Sequence, residues 1–332
     1  MKKKALFLLG ADAFRRIYGS RQVETLRQLV EILDPLPGAA PLPPAPDVLA
    51  EVQLLFGGWG TPALTSALLD QMPRLEAVFH GAGSIRAVAT EAFWERKITI
   101  TSSYAANAVP VAEFAEAQII LALKRAWSLA AAFRATGRQS HEGIAGAYGS
   151  TVGLVSLGMI GQLLARRLQS HDLRVLAYDP FFTPAQADAL GLQVRLCSLE
   201  QLFAESGVVS LHTPSLPSTR GLITGQLLAS LKPHATFINT SRGAVVDESG
   251  LIEVLQQRPD LMALLDVTDP EPPVSGSPLY TLPNVFLTPH IAGSLAGECA
   301  RMGDLAIEEC RRFLAGEPLR WAITREQAAR MA

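Results

Sequence analysis

An arginine, a glutamate and a histidine each follow a short apolar run in the last third of this 332-residue chain. Residues 235–239 lead to Thr240-Ser241-Arg242-Gly243, residues 262–267 to Asp269-Pro270-Glu271-Pro272, and residues 285–288 to Pro289-His290-Ile291-Ala292-Gly293. The apolar runs read as buried strands, and open α/β sheets bind ligands beyond the carboxyl ends of their strands. Arg242 carries a permanently charged planar fork that suits a carboxylate and a neighbouring carbonyl oxygen. His290 is of the type that exchanges protons near neutral pH. Glu271, if hydrogen-bonded to His290, would orient the ring and favour its protonated form. Together they supply the carboxylate clamp, the electrophile and the proton donor that hydride transfer to a 2-oxo acid needs. Taken singly, each residue has an ordinary explanation as a surface ion pair, a solvated loop charge or a cap. Their joint order beyond three strands supports the catalytic reading.

A hydride must come from a carrier, and Thr151-Val152-Gly153-Leu154-Val155-Ser156-Leu157-Gly158-Met159-Ile160-Gly161 runs from a strand straight into a helix. Against the pattern G-x-G-x-x-G it has Ser156 in the first glycine position, with Gly158 and Gly161 in place. Gly158 lets the backbone approach a pyrophosphate, which the helix N-terminus then holds, and Gly161 lets helix and strand pack closely. Serine at the tight turn brings a Cβ, so a local adjustment is expected there. Asp179 ends the next strand, 174–178, at the spacing where a carboxylate takes both ribose hydroxyls and repels a 2′-phosphate, which favours NAD over NADP. His212-Thr213-Pro214, beyond residues 208–211, contains the rival histidine; this segment reads as a wall of the nicotinamide pocket. The alternative for the glycines is a tight βα turn in which they serve packing alone.

These residues need a scaffold, and the chain alternates accordingly. Residues 5–9, 52–56 and 75–79 read as strands, with amphipathic stretches at 24–33 and 64–71, in a small α/β domain. Residues 34–47 are so rich in proline that an exposed loop is expected. A long helical pattern covers 109–127 with Pro110 in its first turn. Strands at 151–155, 174–178, 208–211, 235–239, 262–267 and 285–288, with a helix at 159–169, then form a parallel, doubly wound sheet covered on both faces. A final helix is expected at 304–314.

The length suggests about two domains. A net charge of −2 offers no clustered basic surface for nucleic acid or anionic lipid. Three cysteines, Cys197, Cys299 and Cys310, have neither a disulfide framework nor metal-ligand spacing, so no metal is expected and a reducing, cytoplasmic setting fits. The opening Met1-Lys2-Lys3-Lys4 and the apolar residues 5–9 are at the lower limit for a secretory signal and suit a buried first strand better. No segment is expected to have the roughly 20 apolar residues that cross a bilayer.

The ordered set Gly81-Ala82-Gly83, residues 107–113, the glycine turn with Asp179, His212-Thr213-Pro214, residues 239–247, residues 266–271 and residues 289–293 resembles the D-isomer-specific 2-hydroxyacid dehydrogenases over almost the whole chain. The resemblance implies a flavodoxin-like substrate domain, residues 1–106 with 296–332, around an inserted Rossmann domain of residues 107–295. The active site would lie in the cleft between them, and two helical crossings would form the hinge. It further implies that Gly158, Met159, Ile160 and Asp179 hold the adenosine and pyrophosphate of NAD. Thr213, Thr240, Ser241, Arg242, Asp266, Ala292 and Gly293 would line the nicotinamide side, and the backbone at Ala82 and Gly83 would meet the substrate carboxylate. A homodimer through the cofactor domain is expected. The chain departs from the family at Ser156 and at Ser84-Ile85-Arg86, where Val-Asp is usual; Arg86 is read as facing solvent rather than an anionic substrate tail. An NAD(H)-sensing, corepressor-like binding protein of the same fold is the alternative, and the intact Arg242, Glu271 and His290 set favours turnover.

Overall fold

A computed structural model describes residues 1–38 and 43–331. Residues 39–42 of the proline-rich stretch and Ala332 lie outside the described residues. The chain divides into two compact units, Met1–Asn107 with Ser294–Ala332, and Ala108–Gly293.

The first unit is built on a parallel sheet of β1 (Lys4–Phe7), β2 (Glu31–Ile32), β3 (Leu54–Gly57), β4 (Ala77–His80) and β5 (Thr99–Ser102), in the order β2-β1-β3-β4-β5. Both faces are apolar because successive side chains of each strand point to opposite sides. Phe7, Phe56 and Phe79 pack with Ile17, Leu26 and Met302 on one face, while Leu6, Leu55 and Val78 pack with Leu69 and Phe93 on the other. The helix Cys299–Ala315, which starts five residues earlier than expected, covers the first of these faces. It approaches the Ala11–Ile17 helix so closely that a Cβ on Gly303 would lie 2.1 Å from the Ile17 carbonyl oxygen. Strand β5 escapes a reading of the sequence because its residues, Thr99-Ile100-Thr101-Ser102, carry a single aliphatic side chain. Pro46 opens the short helix Pro46–Leu49, so the expected loop gives way two residues early.

After the Cys299–Ala315 helix the chain returns along β5. The Ser102 N–H donates to the Trp321 carbonyl at 3.1 Å and the Ile323 N–H to the Ile100 carbonyl at 2.9 Å, in an antiparallel bridge of Thr101 with Ala322. Glu309 is fully buried on that helix and fastens this return by accepting from the N–H groups of Arg320 at 3.3 Å and Trp321 at 2.9 Å.

The second unit holds β6 (Thr151–Val155), β7 (Arg174–Tyr178), β8 (Arg195–Leu196), β9 (Val208–Leu211), β10 (Thr236–Asn239), β11 (Met262–Leu265) and β12 (Val285–Leu287), all parallel, in the order β12-β11-β10-β9-β6-β7-β8. The order reverses between β6 and β9, which makes this a doubly wound Rossmann sheet with its switch point at the end of β6. Two clusters, one around Leu202, Phe203 and Phe237 and one around Leu154, Leu164 and Ile238, cover its faces.

The long helix runs from Tyr104 to Leu123, and a second helix, Ala126–Thr136, follows a break at Arg125, whose φ is 52°. The expected start at residue 109 is corrected because the Ser102 hydroxyl accepts the Tyr104 N–H at 3.2 Å and the Ser103 carbonyl accepts the Ala106 and Asn107 N–H groups. Pro110 therefore lies inside the helix, where it leaves the Ala106 carbonyl without its usual donor. The expectation about bilayer-length segments is corrected too: this helix has 20 residues, and a stretch of 18 of them has mean hydropathy 1.3, long and apolar enough to cross a membrane. In the fold 56% of that stretch is buried, with Ala112, Ala115 and Ile119 packed in the core of the second unit.

Candidate active site

The second sheet orders most of the candidate residues by placing them just beyond the carboxyl ends of neighbouring strands. At the end of β6, Ser156 adopts φ 80°, the left-handed region in which a glycine is at ease. It is held there by its N–H donating to the Tyr178 carbonyl at 2.7 Å and by its hydroxyl 2.8 Å from the Thr213 hydroxyl, beyond β9. The local adjustment expected at this position is thus a tied-down serine. Asp179, at the end of β7, accepts the Leu157 N–H at 2.8 Å through one oxygen and the Phe181 N–H at 2.9 Å through the other. The carboxylate is thereby fixed beneath the glycine turn. Each oxygen retains a second lone pair for an outside donor.

The two glycines of the turn have different reasons. A Cβ on Gly161 would lie 2.1 Å from the Ser156 carbonyl oxygen, so the protein itself excludes any other residue. A Cβ on Gly158 would meet nothing within 4 Å, and no side chain caps the helix Met159–Leu168 that Gly158 opens. An open cradle facing uncapped helix N–H groups fits a pyrophosphate. Farther along the sheet edge, the Thr240 hydroxyl and His212 Nδ1 are buried without a hydrogen-bond partner among the described residues. Buried polar atoms are normally paired, so these fit a polar ligand such as a carboxamide. The residues present therefore suit NAD: Gly158, Met159, Ile160 and Asp179 on the adenosine side, Thr213, Thr240 and Ser241 on the other.

His212 is the rival histidine, and its environment separates it from His290. Burial pushes it down to about 4, and its Nε2 lies 3.0 Å from the Ser210 hydroxyl. It is therefore neutral at physiological pH and lacks the imidazolium proton that a general acid gives up. Pro214 contributes its carbonyl, which accepts the Thr219 hydroxyl at 2.6 Å.

Three loops at the β10, β11 and β12 ends carry the remaining groups. Arg242 leaves β10, and its Nη1 donates to the Ser241 carbonyl at 2.6 Å. Burial pushes its guanidinium below the usual value, and the nearby Glu271 carboxylate opposes that shift. The turn is fixed by Gly243, where a Cβ would lie 1.9 Å from the backbone carbon of Thr268. The loop after β11 is pinned in turn: the Asp269 N–H donates to Glu248 at 3.0 Å and the Thr268 hydroxyl to the Pro270 carbonyl at 2.8 Å. Glu271, on that loop, accepts from His290 Nδ1 at 2.6 Å. Because a carboxylate only accepts, Nδ1 carries the proton of that pair and Nε2 is left to face a reacting group.

His290 is itself held at φ 55°. The buried Asp266 does this: its backbone carbonyl accepts the His290 N–H at 3.0 Å, and its carboxylate accepts the Thr288 hydroxyl at 2.5 Å and the N–H groups of Ile291 at 2.8 Å and Ala292 at 2.9 Å. Asp266, expected along the nicotinamide side, therefore also builds the histidine loop, as Ala292 and Gly293 do by following it. Thr288 and Glu248 were missed by sequence reasoning. Glu248 follows Asp247 at the start of the helix Glu248–Gln257 and reads there only as an acidic first-turn residue.

In the first unit, Ala82 and Gly83 follow β4 in a turn whose Gly81 lies against Tyr18; a Cβ on Gly81 would come 2.5 Å from the Tyr18 hydroxyl. Asn107 closes this unit, its Oδ1 accepting the Ser294 N–H at 2.9 Å, and its amide nitrogen is the nearest atom to a Cβ built on Gly83, at 3.8 Å. Sequence reasoning places Asn107 in a family-like stretch and gives it no role.

Comparison with known proteins places this architecture. Residues 117–292 match the family described as D-isomer specific 2-hydroxyacid dehydrogenase, NAD binding domain. The D-3-phosphoglycerate dehydrogenase of Mycobacterium bovis is 35% identical over 251 residues, 75% of this chain and 47% of that protein, so the chain spans about half the length of that relative. The (S)-sulfolactate dehydrogenase of Chromohalobacter salexigens is 34% identical over 249 residues, 74% of this chain and 80% of that one. Among solved structures, the TT0316 protein from Thermus thermophilus superimposes with a TM-score of 0.71 at 29% identity, covering 97% of this chain and 100% of the other. The family's NAD-binding domain thus coincides with the unit that carries the glycine turn and the Glu271–His290 pair, and the chain belongs to the D-isomer specific 2-hydroxyacid dehydrogenase family.

Proposed function

We propose that the protein interconverts a small D-2-hydroxy acid and its 2-oxo acid, with NAD as hydride carrier. The observation that carries this reading is the 2.6 Å pair of Glu271 with His290 Nδ1, on the loop next to Arg242. NAD, when bound, supplies or accepts the hydride; in the reductive direction a 2-oxo acid, a hydride and a proton give the 2-hydroxy acid. Arg242 holds the carboxylate and stabilises charge growing on the carbonyl oxygen, because a guanidinium in a partly buried setting acts at reduced dielectric. His290 delivers the proton from Nε2 and takes it back in the oxidative direction. Glu271 keeps the ring in the required tautomer and orientation. The family resemblance adds the backbone of Ala82 and Gly83 as a further contact for the carboxylate, and D stereochemistry.

The test is NADH oxidation by the purified protein with glyoxylate, hydroxypyruvate, pyruvate and bulkier 2-oxo acids. Arg242→Ala and His290→Ala should each lower kcat/KM by about 100-fold or more, as expected for a lost clamp or general acid. Turnover that ignores both substitutions, or no turnover by the wild type, would remove this reading.

Assembly as a homodimer is part of the proposal. The helix Ala126–Thr136 has no buried residue although most of its positions are Ala, Leu, Phe or Trp, and Phe133 is half exposed. Such a surface is favourable to cover.

A further inference from the structure

Ser102 ends β5 and is fully buried. Its register partner on β4 is His80, so the chain leaving β4 folds across the end of β5. There the Ser102 hydroxyl lies 3.0 Å from the Ala82 carbonyl oxygen and 2.5 Å from that of Gly83. Its single proton is within reach of both. The neighbouring Ser103 N–H lies 3.0 Å from the His80 carbonyl oxygen and 3.1 Å from that of Ala82.

In a trans peptide the C=O and the following N–H point to opposite sides. With the Ala82 and Gly83 carbonyls turned toward Ser102, the N–H groups of Gly83 and Ser84 are turned away from it. Among the described residues neither N–H donates to a protein acceptor. Gly83 adds no obstruction, since a Cβ there would meet only the Asn107 amide nitrogen, at ordinary contact distance. Successive free N–H groups held in one turn make an anion-binding concavity.

We propose that Ser102 is a positioning residue for the substrate carboxylate: by holding two carbonyls behind the loop it aims the Gly83 and Ser84 N–H groups at that anion. This rests on the reading of the chain as a 2-oxo acid reductase, and its test is chosen to be separable from it. Ser102 touches no substrate. Its removal weakens binding of the acid while leaving the cofactor site and the proton donor intact.

The experiment compares the full-length wild type with Ser102→Ala and Ser102→Thr. The Gly83 and Ser84 amide resonances are followed during titration with oxalate, and KM, kcat and NADH affinity are measured with glyoxylate, hydroxypyruvate and pyruvate. In the wild type, oxalate should shift both amides. Ser102→Ala should raise the oxalate Kd and the 2-oxo acid KM about ten-fold, the size of one lost hydrogen bond to a charged group. Its kcat should stay within about three-fold of the wild type and its NADH affinity should be unchanged, and Ser102→Thr, which keeps the hydroxyl, should recover most of the loss. Oxalate that leaves both wild-type amides unmoved, or binds the alanine variant as tightly, overturns the proposal. If the alanine variant fails to fold, the wild-type amide shifts and the threonine variant decide it. Oxalate shifts without turnover of any 2-oxo acid would uphold the role of Ser102 and sink the reductase reading alone.

Discussion

His290 pays for its position with a left-handed backbone, a conformation that costs a non-glycine residue about 1–2 kcal/mol. The three side-chain hydrogen bonds and one backbone bond that Asp266 gathers around it hold the ring where Glu271 can reach. Asp266→Asn keeps the shape but loses one acceptor oxygen, so one loop N–H is left facing an amide. The variant should lose about 2–3 kcal/mol of stability, from charged bonds to buried donors, and kcat should fall with it. Urea unfolding and steady-state kinetics measure the two; full stability with full activity would show that the loop holds itself. Asp179→Ala should narrow the preference for NAD over NADP in kcat/KM, because it removes the charge that repels a 2′-phosphate. An unchanged preference would mean that its two backbone bonds are its whole role. That Arg242, Glu271 and His290 lie beyond the ends of β10, β11 and β12 was legible in the sequence, because the apolar runs before them mark the strands. The dual use of Asp266 was not, because its partners Thr288, Ile291 and Ala292 lie over twenty residues away and offer only backbone N–H groups and one hydroxyl.

Secondary-structure elements were read well where packing enforces a continuous apolar run. Strands β6, β7 and β9 fall where the sequence places them, since both faces of a parallel sheet must be apolar. An edge relaxes that demand and leaves no such mark: β8 is two residues with an exposed arginine, and β5 is mostly threonine and serine. The start of the Tyr104–Leu123 helix is equally unmarked, because its signal lies in serine hydrogen bonds and not in periodicity. The βα turn supplies a contrast that tests the cofactor site directly. Gly161→Ala puts a methyl against a backbone oxygen and should destabilise the fold by about 2 kcal/mol or more. Gly158→Ala, with open space above it, should melt within a degree or two of the wild type yet bind NADH about ten-fold more weakly or worse. Thermal melting and NADH fluorescence titration separate these outcomes, and equal NADH affinity in Gly158→Ala would move the pyrophosphate elsewhere.

For the whole molecule, the doubly wound class and the NAD-binding domain were legible from the alternation of elements and the glycine turn, whereas a surface made for another copy would leave no periodic mark. The proposed dimer should sediment at about twice the 35.6 kDa of one chain. Phe133→Glu should shift it toward monomer by burying a charge in the interface. A monomeric wild type would leave the apolar helix Ala126–Thr136 to some other role. The returning segment at residues 320–323 has a consequence of its own. β5 is the outermost strand of the first sheet, and an outermost strand offers a row of unpaired N–H and C=O groups to any passing chain. By laying its own backbone along that strand and fastening it to Glu309, the protein closes a template on which chains would otherwise stack into aggregates.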